Sequence, residues 1–536
     1  MSVIILEADN RLVVVGNPEF SAKLNASPRI EGQLIGDAFA TSYNAKPLLE
    51  ALAKVNPELG IQFVTYRHGY KSRGDYEVRA HQAQLIDLYM RYTHAYNLAE
   101  MGVGKSGSTL WAFDVLKQRN LVDVMVVTAP LSTVQPAWLR DAAHCVPHLK
   151  AVALLGSTKK VRLKKLLDGA DIFVVNHDGV KVLHEALLDL CRSKRVMFVG
   201  DEAVAYAKHN SERSEKTQHL AKMCKRVYLL TATPVAQSLL HAYGQIKLLG
   251  VRTTGAARTF TTFRNEYFVK VSQFKYVPRS NALEQIQQLM SPAIYMPTRS
   301  VHTLPPCVWL HRQPPMTDDQ RTAYNEMVQE QRYLHADGNE VNAANAAVAL
   351  MKLVQISCGI LLGGSNGVIT IPPKHKMDDL HLVIEQSQAK VIVFAPFTAV
   401  VDYVAEELRK VYGDDTVSIL DGRVAGDKRG KLVADFQDPD HPVRFIVAHP
   451  QPAGHGITLT EADTVVWFAP YNRTEVFIQA NARHNRPSQT RSTRVVMLAS
   501  TSEESAMYNA AIEGKEQNAA FVDIFNALLK GESKTY

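Results

Sequence analysis

The chain has 536 residues, of which 46% are hydrophobic and 21% charged, with a formal net charge of +7. That length exceeds one ordinary core, so two or three folded units are expected, and the balance of apolar and charged residues excludes a disordered chain. The positive excess is mild; it permits a polyanionic partner without demanding one.

The five cysteines (Cys145, Cys191, Cys224, Cys307 and Cys358) are widely spaced without a CxxC pair, which argues against a zinc site or a disulfide framework. Residues 1–20 alternate apolar and charged positions, unlike a signal peptide, and no run approaches the roughly 20 apolar residues that span a bilayer. A cytoplasmic protein with no membrane association is expected.

The first segment, 1–75, opens with VIILEADNRLVVV, two β-rich runs broken at Asp9-Asn10, which reads as a hairpin. A helix is expected around KPLLEALAKVNPELG, stopping at Gly60, and IQFVTY reads as a further strand. Together they predict a small α+β unit.

From Tyr76 onward, apolar runs alternate with helical stretches. VDVMVVTAP, DIFVVNHD, VMFVGDEA and VYLLTATP are strands whose unbroken apolar character suits a parallel sheet covered on both faces. In such sheets the carboxyl ends of the strands carry the chemistry. AEMGVGKSGSTL, residues 99–110, has the spacing of a phosphate-binding loop with Ala99 where the strict pattern has Gly. Its glycines let backbone N–H groups of Gly102, Val103, Gly104 and Lys105 converge on phosphate oxygens, Lys105 would reach the β- and γ-phosphates, and Ser106 would ligate Mg²⁺.

The basic run TKKVRLKKL, with Lys159, Lys160, Arg162, Lys164 and Lys165, reads either as a DNA contact or as a solvated helix face. In VMFVGDEAV, residues 196–204, an apolar strand ends in Asp201, suited to Mg²⁺, and Glu202, suited to orienting an attacking water. LLTATPVAQ places Thr231 and Thr233 at a strand end, where hydroxyls can relay phosphate status.

Residues 251–355 are rich in helix formers and polar residues, with PCVWLHR the main strand run, and read as a helical insertion and linker. KVIVFAPF, VSILDG, VRFIVAHP and DTVVWFAP restore the apolar-strand texture, so one α/β architecture is expected twice. QANARHNRPSQ then puts Gln479, Arg483 and Arg486 at i, i+4 and i+7, one face of a helix, suited to a guanidinium finger for transition-state charge.

Taken in order, AEMGVGKS, DEAV, TATP and the QxxxRxxR segment resemble motifs I, II, III and VI of superfamily-two helicases. The run from Gln479 to Gln489 is similar to the Swi/Snf-type branch of DNA translocases, and PLSTVQPAW, VVNHDGV, GHGITLTEADTVV, LPP, MTDDQRTAY and LVQISC resemble further segments of that branch. The resemblance covers about residues 76–510.

It implies an α/β fold of two tandem RecA-like lobes with parallel sheets. Lobe 1 would span 76–250, the insertion 251–355, lobe 2 356–510 and a C-terminal helix 511–536. ATP and Mg²⁺ are the implied cofactors. Gln82 would recognise adenine, Met101 would belong to the nucleotide-binding loop, Gly456 would lie at the nucleotide side of lobe 2, Arg483 and Arg486 would face the γ-phosphate, and Gln479, Thr231 and Thr233 would couple the lobes. Pro130, Trp138, Asn176 and Thr398 would form the DNA-tracking surface.

Two departures stand out: Ala99 replaces an Asp usual at motif I, and Val204 replaces the His that usually ends motif II. The compact motif set resembles bacterial or bacteriophage members, so a bacterial or phage-infected cytoplasm is expected. The implied function is ATP-driven translocation on duplex or branched DNA, in branch migration, fork remodelling or annealing, with 1–75 as a substrate-recognition unit. Rival readings are a nucleotide-dependent DNA-binding protein without stepping, an RNA helicase, and the motor part of a restriction or packaging enzyme, for which no PD…ExK nuclease motif is found. Protein partners are not indicated.

Overall fold

The computed structural model describes residues 4–8, 11–15, 18–27, 32–35, 38–42, 49, 62–65, 70–232, 238–250, 258–271, 276–301, 303–334, 343–363, 367–424, 426–453, 457–486, 488–514, 517–532 and 534–536. The chain divides into two compact units, one of Met1–Pro234, His241–Phe268 and Pro278–Val301, the other of Val235–Leu240, Val269–Val277 and His302–Tyr536.

At the amino end, β1 (Ile4–Ala8) and β2 (Arg11–Val15) pair antiparallel across the Asp9-Asn10 break. With β3 (Gly32–Ile35), β4 (Ala38–Ser42) and β5 (Gln62–Thr65) they form a five-stranded sheet in the order β3-β4-β2-β1-β5. Helix Pro18–Asn25 follows β2. The helix expected around KPLLEALAKVNPELG lies outside the described residues.

The first lobe carries a seven-stranded sheet in the order β14-β6-β11-β10-β7-β9-β8. Its strands are β6 (His94–Ala99), β7 (Val124–Ala129), β8 (Ala151–Ala153), β9 (Ile172–Asn176), β10 (Val196–Asp201), β11 (Arg226–Leu230) and β14 (Ala293–Met296), and every pairing is parallel. Strand β7 is buried at every position and β10 at all but Asp201, which is why both read as unbroken apolar runs. A short two-stranded sheet, β12 (Phe268–Lys270) with β13 (Tyr276–Pro278), lies between β11 and β14 in sequence.

The second lobe repeats the plan with six strands in the order β15-β22-β21-β18-β20-β19. These are β15 (Cys307–Arg312), β18 (Lys390–Phe394), β19 (Val417–Leu420), β20 (Phe445–Ala448), β21 (Ala462–Trp467) and β22 (Thr493–Leu498), again all parallel. A side hairpin joins β16 (Ile360–Gly363) to β17 (Gly367–Thr370). Helices Asp318–Leu334, Ala343–Ser357 and Gln517–Lys530 pack on one another in this unit, with Val328, Leu350, Val354 and Phe525 in the same core as the β18 residues Val391 and Val393.

Residues 251–355 differ from a helical linker. They supply β14 to the edge of the first sheet and β15 to the edge of the second, and helices Asp318–Leu334 and Ala343–Ser357 to the core of the second lobe. Strand β14 is only four residues long with alternate positions open to solvent, and β15 is exposed along most of its length, so neither edge strand shows the apolar run of a central strand.

Candidate nucleotide site

The phosphate loop leaves the carboxyl end of β6 and feeds helix Lys105–Gln118. Gly102 and Gly104 take φ of 86° and 90°, left-handed conformations that side chains resist, and Gly104 is the N-cap of that helix. The turn therefore needs both glycines. Behind it, Lys105 Nζ donates to the carbonyls of Ala99 (2.8 Å) and Glu100 (3.2 Å). Partial burial raises the Asp141 pKa, with the nearby Ser106 hydroxyl and Arg140 acting the other way.

Three neighbours set the shape of this loop. Val103 is fully buried, and its carbonyl pairs with His81 Nε2 at 3.1 Å. Burial lowers the His81 pKa, so the neutral ring donates through Nε2–H. The Gln82 carboxamide stands against Gly104: a β-carbon there would meet Gln82 Nε2 at 2.2 Å. Gln82 Oε1 accepts from the Arg79 amide at 3.0 Å, closing the first turn of helix Ala80–Arg91.

The third neighbour comes from β14 and the residues after it. Glu100 accepts from Tyr295 Oη and from the Thr298 amide, both at 2.9 Å, and the Thr298 hydroxyl donates to the Met101 carbonyl at 2.8 Å. No local sequence signal announces these contacts.

Asp201 and Glu202 stand at the end of β10. Burial, with the Glu202 charge beside it, pushes the Asp201 carboxyl up to about 6, while Trp138 and the Lys105 ammonium act the other way. Asp201 Oδ1 accepts from the Glu202 amide at 3.1 Å, and Oδ2 from Trp138 Nε1 at 2.8 Å. Glu202 itself has φ 48° and ψ 60°, a left-handed backbone for a residue with a side chain. Lys105, Ser106, Asp141, Asp201 and Glu202 thus converge at the strand ends of the first lobe. Trp138 and Asp141 complete that cluster and were not singled out from the sequence as parts of it.

A DNA-facing Trp138 is corrected here. Its side chain is 1% exposed and its one donor is spent on Asp201, so it has no surface to offer a nucleic acid. Of the other three expected nucleic-acid residues, Pro130 caps the turn after β7, with its carbonyl accepting from Thr133 Oγ1 at 2.9 Å. Asn176 Oδ1 accepts from Arg162 Nη1 at 3.3 Å. Thr398 is exposed at the start of helix Thr398–Tyr412 and lines a cavity of about 520 Å³ with Gln355, Asp402 and His449. In the basic run, Arg162 and Lys165 turn back onto the carbonyls of Gly156 and Leu155.

The helical face expected for Gln479, Arg483 and Arg486 is also corrected. Helix Thr474–Asn481 holds Gln479 alone, and Arg483 and Arg486 follow in a turn. The Asn481 side chain is held by Trp467 Nε1 (3.0 Å) and the Phe477 carbonyl (2.9 Å), and the Arg483 amide closes on Ala480 O at 3.1 Å. Pro487 disfavours a helical Arg486. Arg486 Nη1 donates to Thr458 Oγ1 at 2.6 Å and its Nε to the Ala482 carbonyl at 3.1 Å. Arg483 and Gln479 are both nearly buried, at 6% and 4% exposure. Thr231 is fully buried at the end of β11, its amide donating to the Asn97 carbonyl. Thr233 and Gly456 lie outside the described residues.

Two all-parallel lobes, the first with a glycine-turned loop and lysine facing a strand-end carboxylate pair, place the chain in the class of tandem RecA-like proteins. Residues 85–359 match the SNF2-related domain and residues 375–488 the helicase conserved C-terminal domain. The chain belongs to the SNF2-related family.

It is 22% identical over 445 residues to a probable ATP-dependent DNA helicase, CHR12, of Arabidopsis thaliana, covering 79% of this chain and 40% of that protein. It is 23% identical to a putative protein, p41, of Acyrthosiphon pisum secondary endosymbiont phage 1, covering 76% of this chain and 91% of that one. The chain spans about two fifths of the length of the first plant relatives it matches. A Sulfolobus solfataricus SWI2/SNF2 ATPase core, solved in complex with double-stranded DNA, aligns with 86% of this chain and 96% of its own at 21% identity and TM-score 0.39. Among the described residues, no helix is long and apolar enough to cross a membrane.

Proposed function

We propose that this protein is an ATP-driven motor that moves along duplex or branched DNA. The observation that supports it most is the convergence of Lys105, Ser106, Asp201 and Glu202 on one end of one sheet. Backbone N–H groups from Gly102 to Ser106 would bind the ATP phosphates at the positive end of helix Lys105–Gln118. Lys105 would exchange its loop carbonyls for β- and γ-phosphate oxygens, and Gln82, beside Gly104, would reach the adenine.

A divalent cation fits the donor set. Among the described residues no group of three or more His, Cys, Asp or Glu side chains forms a metal cage, which suits an ion held mainly by phosphate and water with Ser106 and Asp201 as its protein partners. Bound there, Mg²⁺ would offset the phosphate charge. Glu202, held in its unusual backbone conformation, would orient the attacking water, and Arg483 and Arg486 would stabilise charge as the γ-phosphate leaves. Thr231, Thr233, Gln479 and Gly456 would couple the nucleotide state to stepping. Pro130, Asn176 and Thr398 would touch the nucleic-acid backbone, which makes tracking independent of sequence and sensitive to salt.

Within this reading, 1–75 forms a substrate-recognition unit and the chemistry is branch migration, fork remodelling or annealing. The test is ATPase rate with forks, four-way junctions, linear duplex, single strands and RNA. Forked or duplex DNA should stimulate turnover most, and Lys105→Ala and Arg486→Ala should abolish the stimulated rate, the arginine change by roughly 10³-fold or more. Stimulation by RNA alone would overturn the DNA assignment; no hydrolysis under any condition would overturn the motor.

A further inference from the structure

After β7 the chain enters a π-helical turn, Val134–Leu139, before helix Arg140–Cys145. Such wide turns are rare and concentrate at functional sites. This one carries Trp138 inward, where the indole is 1% exposed and its N–H reaches Asp201 Oδ2 at 2.8 Å. The other carboxylate oxygen, Oδ1, accepts from the Glu202 amide. Both oxygens of Asp201 are therefore pinned, one by backbone and one by Trp138, which fixes the plane of the carboxylate and the direction of its remaining lone pairs.

We propose that Trp138 is a positioning residue for the divalent-cation site, acting through Asp201. The inference rests on the nucleotide-site reading above. A buried indole would fill space equally well without its N–H, so the position of the donor is the informative feature. Partners that orient metal ligands affect metal affinity by about 10- to 100-fold. The charged and titratable groups around Asp201 are Lys105 on the loop helix, Asp141 on the following helix, Glu202 beside it, Tyr89 on helix Ala80–Arg91 and Tyr206.

The test compares the parent with Trp138→Phe and with a chain carrying benzothienylalanine at 138, which keeps the ring shape and lacks the N–H. Mn²⁺ binding is followed by electron paramagnetic resonance in the presence of a non-hydrolysable ATP analogue, beside metal-free binding of a fluorescent nucleotide. The expected result is Mn²⁺ affinity lowered about tenfold in both, with metal-free nucleotide affinity unchanged. Parent-like Mn²⁺ affinity in the isosteric chain overturns the role of Trp138 and leaves the nucleotide site standing. Absence of nucleotide and Mn²⁺ binding in the parent overturns the site itself and this inference with it. Should Trp138→Phe fail to fold, the isosteric chain decides.

Discussion

The Thr298 amide donates to Glu100 Oε2 at 2.9 Å across 198 residues of sequence, and the Thr298 hydroxyl reaches the neighbouring Met101 carbonyl at 2.8 Å. The entry to the phosphate loop is thereby tied to the last residues of its own unit. Thr298→Val removes the hydroxyl contact and leaves the amide contact. It should destabilise the first lobe by about 1 kcal/mol and raise the KM for ATP several-fold with kcat near the parent value. Chemical denaturation and steady-state kinetics check this; an unchanged KM would separate the clamp from nucleotide binding.

Gly104→Ala tests the turn itself. A left-handed alanine costs about 1–2 kcal/mol, and its β-carbon would collide with the Gln82 amide. That amide is the end of a flexible side chain and can move away, so the backbone strain should dominate. Nucleotide affinity should fall at least about tenfold, and adding Gln82→Ala should not restore the stability that the substitution costs. Recovery of the denaturation midpoint in the double variant would show that the collision was the main effect.

In the second lobe, Lys376 Nζ and Glu504 Oε1 form a salt bridge of 2.8 Å with side chains only 1% and 2% exposed. Ser357 Oγ and the Ser500 amide also donate to this carboxylate. Lys376→Met would strand a buried charge and should cost about 3–5 kcal/mol. Lys376→Met with Glu504→Gln should recover much of that loss. Equal denaturation midpoints for the single and double variants would contradict the pairing.

His484 is fully enclosed, and burial pushes its pKa down to about 4. The ring is neutral in the native protein, whereas in the unfolded chain it titrates near the ordinary 6.5. The unfolded state therefore binds more protons between those values, so native stability falls as pH drops below about 6.5 and the loss is complete near 4. The contribution is on the order of 3 kcal/mol. Thermal melting between pH 7 and 5 should show a steeper decline for the parent than for His484→Asn; parallel curves would count against it.

What the sequence made legible follows from how local each feature is. The loop from Gly102 to Ser106 and the Asp201-Glu202 pair are each contiguous in sequence, and they lie at the carboxyl ends of β6 and β10. The unbroken runs in β7, β10, β18 and β20 announce central parallel strands because both faces are buried. Strand β14 escaped notice because an edge strand lacks that pattern. The Thr298 clamp and the Trp138–Asp201 bond escaped notice because each joins residues far apart in sequence. The arginine segment differs for another reason: spacing of four and three assumes a continuing helix, whereas the helix stops at Asn481, whose side chain is held by Trp467 and the Phe477 carbonyl.

Strand β14 also bears on how the chain is made and how it can be cut. Its parallel partner is β6, with Ala293 opposite Tyr96 and Met296 opposite Ala99, the residue that opens the phosphate loop. During synthesis that strand must wait with a bare flank until nearly two hundred further residues have been added, a period in which unpaired backbone invites wrong partners. A fragment ending at 250 would keep the flank bare permanently and should precipitate. One ending after Val301 carries its own covering strand, and is the natural boundary for expressing the amino-terminal half.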